Sequence, residues 1–253
     1  MKKRSYIITA IVSYLVFLTA TIPASMFSSL LEDNSPVKLQ GISGTLWQGK
    51  ASSISIDNTI RLQTTRWSFS PWKLFIGQIA LDIETRYMDN DIRSEIGTSF
   101  LGRYFINDLS AKILAKDVAQ LADIPLAQLS GLIALDIEHA QWKQGELPIA
   151  TGIINWKDAT VTVADTASLG NVSITLSESD QDLLNAEIKN QGGDIKISGT
   201  AELVPEADYA VDIKLTPTAS ANNNIKQSLG LFAQRQNNGD YILKKSGPLN
   251  QIM

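Results

Sequence analysis

Two apolar patterns divide the chain. From Ser5 to Leu31 no charged side chain occurs, and Ile7 to Ile22 is dominated by Ile, Val, Leu, Phe and Ala. A helix needs about 20 such residues to cross the hydrocarbon core of a bilayer. The pattern predicts a short tail at residues 1–5, a transmembrane anchor at 6–27, a linker at 28–36 and a β-rich domain at 37–253. Beyond Pro36 the dominant signal is alternation with period two, as in a strand with one buried face. Ile79, Leu81, Ile83 and Tyr87 share one predicted face, with Asp82, Glu84 and Arg86 opposite. Ile133, Leu135 and Ile137 oppose Asp136 and Glu138, and Tyr209, Val211, Ile213 and Leu215 oppose Asp212 and Lys214. Between Ile60/Leu62 and Trp67/Phe69 the apolar phase slips from even to odd numbers, which predicts a bulge or bend near Thr64-Thr65.

Turn signals separate these runs. Asn190-Gln191-Gly192-Gly193 reads as a hairpin, Pro205-Glu206-Ala207-Asp208 divides the next two strands, and Asp89-Asn90-Asp91 ends the Ile79–Tyr87 strand. Helical spacing is scarce. Asp117 is placed to cap a short helix carrying Val118, Leu121 and Ala122, stopped by Pro125; Ile225, Leu229 and Phe232 suggest another from Asn224 to Ala233. Pro71 to Ile76 reads as a single turn. Two short repeats occur: Ile79–Glu84 recurs as Ile133–Glu138, and Ile42–Thr45 as Ile197–Thr200. They fit either coincidence among similar strands or a sheet extended by repeated hairpins. The fold class expected is mainly β: a large curled antiparallel sheet, an open sandwich or groove, with roughly ten to fourteen strands and few short helices.

The apolar leader has a rival reading as a cleaved signal peptide, which wants small residues one and three places before the cut. Cutting after Ala24 puts Ile22 in the third place, cutting after Ala20 puts Leu18 there, and cutting after Ser25 puts Pro23 there. An uncleaved anchor fits better. Lys2, Lys3 and Arg4 keep the N-terminus cytoplasmic by the positive-inside rule, so the rest is expected on the far side of the membrane, with Tyr6 and Phe27 near the two interfaces.

Charge and composition narrow the chemistry. The net charge is −4, but setting aside Lys2, Lys3 and Arg4 leaves 19 basic against 26 acidic side chains, a balance of −7. Nucleic acid is an unfavourable partner for such a body. Cysteine is absent, which removes thiolate catalysis, Cys-rich zinc sites and redox switching. The one histidine, His139, follows Ile137 in phase and reads as a packed residue with one hydrogen bond. No Gly-x-Ser-x-Gly elbow accompanies it. Glu178–Asp182 lacks the glycine and glutamate that close a calcium loop, Asn185 and Gln191 standing in those places, and reads as a hairpin tip. No phosphate-binding loop or dinucleotide fingerprint occurs, and Asn171-Val172-Ser173 lies inside a predicted strand. No catalytic residue, metal site or cofactor is expected; a hydrolase built on His139 is the weakest of the readings.

Trp47, Trp67, Trp72, Trp142 and Trp156 lie in or beside predicted strands or bends and read mostly as core anchors. Trp72, with Pro71, Phe75 and Ile76, admits another reading, an exposed ledge that meets a membrane surface or a partner. The stripes Ile79, Leu81, Ile83 and Ile133, Leu135, Ile137 admit one too: with only two short helices to cover them, they can line an apolar groove for acyl chains.

Gly41–Gly49 (GISGTLWQG) and Arg66–Gly77 (RWSFSPWKLFIG), just after the leader, resemble the opening of type II secretion system protein N (general secretion pathway protein N). Leu129-Ser130-Gly131, Gly152–Ala159 with Trp156, Ile197–Thr200, Asn238–Tyr241 and Ser246–Leu249 continue the resemblance. It implies a non-enzymatic inner-membrane component of the machine that carries folded proteins from the periplasm across the outer membrane. Its partners would be other components of that system. The family is also similar to AsmA-like proteins, whose curled sheets present apolar grooves associated with lipid traffic; this gives the alternative of a lipid-binding or lipid-bridging module. The resemblance carries no catalytic residues to transfer.

Overall fold

The computed structural model describes residues 2–26, 35–57, 59–122, 127–163, 165–179, 183–204 and 208–248. The chain forms two compact units, Met1–Asp91 and Ile92–Met253.

The first unit opens with helix α1 (Lys2–Ala20) and continues through β1 (Val37–Gln40), β2 (Ser43–Gly44), β3 (Gln48–Ile56), β4 (Ile60–Phe69), a 3-10 helix (Pro71–Ile76) and β5 (Gln78–Tyr87). β1 and β2 both pair antiparallel with β3, whose other side pairs with β4, and β4 with β5. The phase slip is a bulge: the β4–β5 register shifts between Gln63 and Arg66, and Thr64 takes a left-handed φ of 54°. The bulge turns Thr65 inward, where its hydroxyl lies 2.7 Å from that of Thr85. Both threonines are buried, so each satisfies the other.

The leader is shorter as a helix than its apolar run suggests. α1 ends at Ala20, ahead of Pro23, whose ring and missing N–H cannot continue a helix. The chain then runs alongside the sheet: Pro23 bridges Thr45, Leu46 N–H donates to the Ile22 carbonyl at 3.1 Å, and Ala24 N–H donates to the Gly44 carbonyl at 3.0 Å. The Trp47 indole donates to the Thr19 carbonyl at 2.7 Å, and Ala24 is 1% exposed. The span expected at 6–27 is not shown: no helix among the described residues is long and apolar enough to cross a membrane. Its uncharged part, from Ser5 onward, rises only about 24 Å, against a hydrocarbon core of about 30 Å. The end of that expected span, Phe27 included, and most of the linker lie outside the described residues.

The second unit is a meander: β6 (Asn90–Ser99), β7 (Tyr104–Leu114), α2 (Ala115–Leu121), β8 (Gln128–Trp142), β9 (Ile149–Thr162), β10 (Thr166–Glu178), β11 (Leu184–Gln191), β12 (Ile195–Val204), β13 (Asp208–Pro217), α3 (Asn223–Phe232), β14 (Gln234–Arg235) and β15 (Tyr241–Pro248). From β6 to β13 each strand pairs antiparallel with its neighbour in sequence; β15 then pairs with β13, and β14 ends the row without closing it. The chain is therefore mainly β and antiparallel, as expected, with fifteen strands among the described residues, two of them only two residues long.

The hairpin expected at Asn190–Gly193 joins β11 to β12. Asn190 organises it: its amide donates to the carbonyls of Leu169 and Ile195, both at 2.7 Å, and its oxygen accepts from Ile197 N–H at 2.6 Å. Gly170, at φ +68°, lets the turn close, because a Cβ there would stand 2.3 Å from the Gln191 carbonyl oxygen. The 205–207 turn, the 180–182 hairpin tip and Pro125 lie outside the described residues.

Both expected short helices exist, with altered details. Asp117 sits in the first turn of α2 and does not cap it; Leu114 holds the cap position. A carboxylate there still complements the helix dipole. Ala115 and Ala119 form the buried face of α2, whereas Leu121 is exposed. α3 is capped by Asn222, whose side chain accepts from Ile225 N–H at 2.8 Å. Ile225 packs with Ile195 and Ala221, against Leu169, Ile197, Leu215 and Leu229, while Phe232 points to solvent.

Candidate functional site

The titratable groups decide what chemistry is available. His139 is half-buried in β8, its Nδ1 2.6 Å from the Asn107 amide oxygen, and the Asn107 amide donates to Glu95 at 2.7 Å. It is a packed residue in a polar chain, as its phase suggests. Three carboxylates are held below their ordinary range. Lys143 and Arg103 do this to Glu146, at 2.7 and 2.9 Å. Asn222, the Thr166 amide and Asn224 do it to Asp165, and Lys214, Thr216 and Asn238 to Asp240. These pairs tie loops to strands; none raises a carboxyl toward neutral pH, where a general acid would need it. Among the described residues no group of His, Asp and Glu is placed to hold a metal ion.

The family-like motifs build the frame. Trp47 and Phe69 meet with ring centroids 4.8 Å apart, and the Trp67 indole donates to the Leu46 carbonyl at 3.1 Å. A Cβ at Gly49 would enter the Trp67 ring, which explains a glycine at the end of that motif. In the second unit the Trp156 indole donates to the Ser130 carbonyl at 2.9 Å, and Gly131 beside it has φ +106°. A Cβ at Gly131 would lie 2.4 Å from the Lys157 carbonyl oxygen. The repeated Ile-Ser-Gly-Thr segments are not equivalent: Ser43-Gly44 forms the two-residue β2, whereas Ser198-Gly199 lies mid-strand in β12. Trp142 stacks on Tyr104 at 5.8 Å and remains 41% exposed.

The two stripes expected to line a groove fall in different units, one on β5 and the other on β8. In the first, Leu81 and Ile83 are half-buried and Ile79 is exposed, while Ala80, on the charged face, is fully covered. The 3-10 helix folds back there, with Ser70 N–H donating to the Ala80 carbonyl at 3.1 Å.

In the second unit the stripe is part of something larger. Leu135 stands directly opposite Ala111 on one side and Ile154 on the other; the row continues through Ile174, Ile188, Gly199, Ile213 and Leu243. Residues directly opposite in a ladder share a face, so one apolar row crosses eight strands. Ile133 and Ile137 lie on the same face in adjacent rows. Ala111 and Ile137 are buried, but Leu135, Ile154, Ile174, Ile188, Ile213 and Leu243 are only half-buried. α2 follows the end of β7, and α3 follows the end of β13, so by register both helices stand at one end of this face. The Asn222 amide ties α3 to Asp165 in the β9–β10 turn at 2.9 Å. Alternation marks two strands of this row, those of Leu135 and Ile213, but not its length, because a strand's own period does not fix its register with its neighbours.

Two further surfaces stand out. Pro71, Trp72, Phe75 and Ile76 are all exposed, and Leu74 joins them. The outer edge of β15 is occupied by β14 only at Tyr241 and Ile242, leaving Leu243–Pro248 without a strand neighbour on that side among the described residues.

Residues 35–244 match the family model described as Type II secretion system (T2SS), protein N. Relatives called type II secretion system protein N align over most of the chain. That of Aeromonas hydrophila is 26% identical, over 97% of this chain and 99% of its own. Those of Klebsiella pneumoniae and Vibrio cholerae are 25% and 22% identical, over 82% and 90% of this chain and 81% and 91% of their own. No solved structure matches the chain significantly.

Proposed function

This chain belongs to the type II secretion system protein N family and is a component of that system, and from this premise we propose that it acts there as a non-enzymatic docking component. α1 anchors it in the inner membrane, the bilayer thinning locally to meet its short apolar length, with the N-terminus cytoplasmic and the β-rich part in the periplasm. The observation that carries the reading is the family match over residues 35–244. Other secretion components are its partners, and the open edge of β15 is a surface they can extend by strand addition. Lys245 lies on that edge and discourages unspecific pairing while leaving room for an acidic partner strand; Lys244 beside it pairs with Asp212 of β13 at 2.8 Å. A photo-crosslinker at Lys245 in cells should capture another component of the secretion system. Unchanged secretion after deletion of the protein, with no such adduct, would refute this role.

The eight-strand apolar row favours a second reading, in which the face holds lipid acyl chains. A half-buried row of branched side chains on an unclosed sheet leaves apolar area that water solvates poorly. A photoreactive fatty acid offered to the full chain should then label Ile154 and Ile174 and spare the outward Glu187 and Lys189. Labelling spread evenly over both faces would dismiss it.

A further inference from the structure

We propose that the Pro71–Ile76 turn is a second membrane contact, lying in the headgroup layer beside the point where α1 leaves the bilayer. This rests on the reading of α1 as the anchor. Three observations within the first unit carry it.

The exposure is built into the turn. Trp72 is 59% exposed, Phe75 92% and Ile76 60%. Pro71 opens the turn with a fixed φ, and Gly77 closes it at φ 76° with its N–H on the Leu74 carbonyl at 3.1 Å. Beneath it the covered Ala80 seats the base. These side chains therefore project because the backbone holds them outward.

The turn also lies at the right end of the sheet. The Thr19 carbonyl, at the close of α1, accepts from the Trp47 indole. The Trp47 carbonyl in turn accepts from Phe69 N–H at 2.6 Å, and the two rings touch. Phe69 is two residues before Pro71. A short chain of contacts thus links the exit of α1 to the root of the ledge.

The chemistry is that of an interface. An indole, a phenyl ring and an aliphatic side chain protrude together, with the Lys73 ammonium 5.3 Å from the Trp72 ring and no acidic residue in the turn. Aromatic rings with a polar edge, flanked by a cation, favour the boundary between headgroups and acyl chains.

The chain has no cysteine, so single cysteines can carry an environment-sensitive fluorophore in the full protein, reconstituted in phosphatidylcholine–phosphatidylglycerol vesicles. Phe75→Cys reports on the ledge, Tyr14→Cys on α1, and Arg61→Cys, exposed near the far end of β4, on bulk water. Phe75 is almost wholly exposed, so its replacement leaves the packing alone. Lipids brominated near the headgroup should quench the Phe75 probe about twofold or more, and more strongly than lipids brominated deep in the chain; Tyr14 should show the reverse preference. A Phe75 probe that behaves like Arg61 while Tyr14 is quenched overturns the ledge and leaves the anchor standing. Quenching at Phe75 without Tyr14 keeps the ledge and removes the anchor, and quenching at neither removes both. In cells, a benzophenone at position 75 that captures only protein, with no lipid adduct, also overturns the proposal.

Discussion

If the apolar row of the second unit is open, truncating it must cost less than truncating a covered cluster. Ile225 in α3 is 5% exposed and sits among Ile195, Ala221 and Leu215. Ile174 lies mid-row between Ile154 and Ile188 and is half-buried. Replacing isoleucine by alanine removes about three methylene equivalents, each worth about 0.8 kcal/mol when fully buried, or about 2.4 kcal/mol. In the covered cluster a residual cavity of about 40–60 Å³ adds about 1 kcal/mol. Ile225→Ala should therefore cost about 3–4 kcal/mol. At Ile174 part of the transfer term is already lost to solvent, and water or neighbouring side chains fill the gap, so Ile174→Ala should cost about 1–1.5 kcal/mol. Urea unfolding of the full chain in mild detergent, followed by tryptophan fluorescence, separates the two. With a slope of about 2 kcal/mol per molar urea, the midpoints should differ by about 1 M. Equal losses would mean that the row is covered by a second layer, and the open-face argument would fail.

Three further outcomes follow from the geometry. Gly131→Ala forces a Cβ against the Lys157 carbonyl at positive φ and should cost about 2–4 kcal/mol, read as a fall in Tm, with Gly145→Ala, where nothing lies within 4 Å of the added Cβ, as a milder comparison. Asn190→Ala strips the amide from two strand carbonyls and the acceptor from Ile197 N–H, and should lower stability by about 2–4 kcal/mol; hydrogen exchange should rise first at the β11–β12 turn. Asp240 is held below its ordinary value of 3.8, first by Lys214 and then by Thr216. Its stabilisation is present above that value and is lost as pH falls through the lowered one, so Asp240→Asn should flatten the acid limb of a Tm-against-pH curve. A limb of unchanged slope would count against the Lys214 pairing.

Local alternation was enough to locate the strands, the Thr64-Thr65 bulge, the Asn190 hairpin and the Pro71–Ile76 turn, because each depends on side-chain period or on the φ preferences of two or three neighbours. The helix after β7 was legible as a helix, but its cap was not: Asp117 favours a first turn as well as a cap, and the covering strands chose Ala115 and Ala119 as the inner face. The apolar leader was read by counting, although Pro23 already marked a stop within it. What the count missed was that Ile22, Pro23 and Ala24 have a sheet edge to join. Only the tertiary structure decided where α1 ends, which strands line up their isoleucines into one row, and that Ala80 lies covered on a charged face. A strand's own residues say which side chains share a face. Which residue stands opposite depends on the register between neighbouring strands, and whether anything covers that face depends on segments elsewhere in the chain.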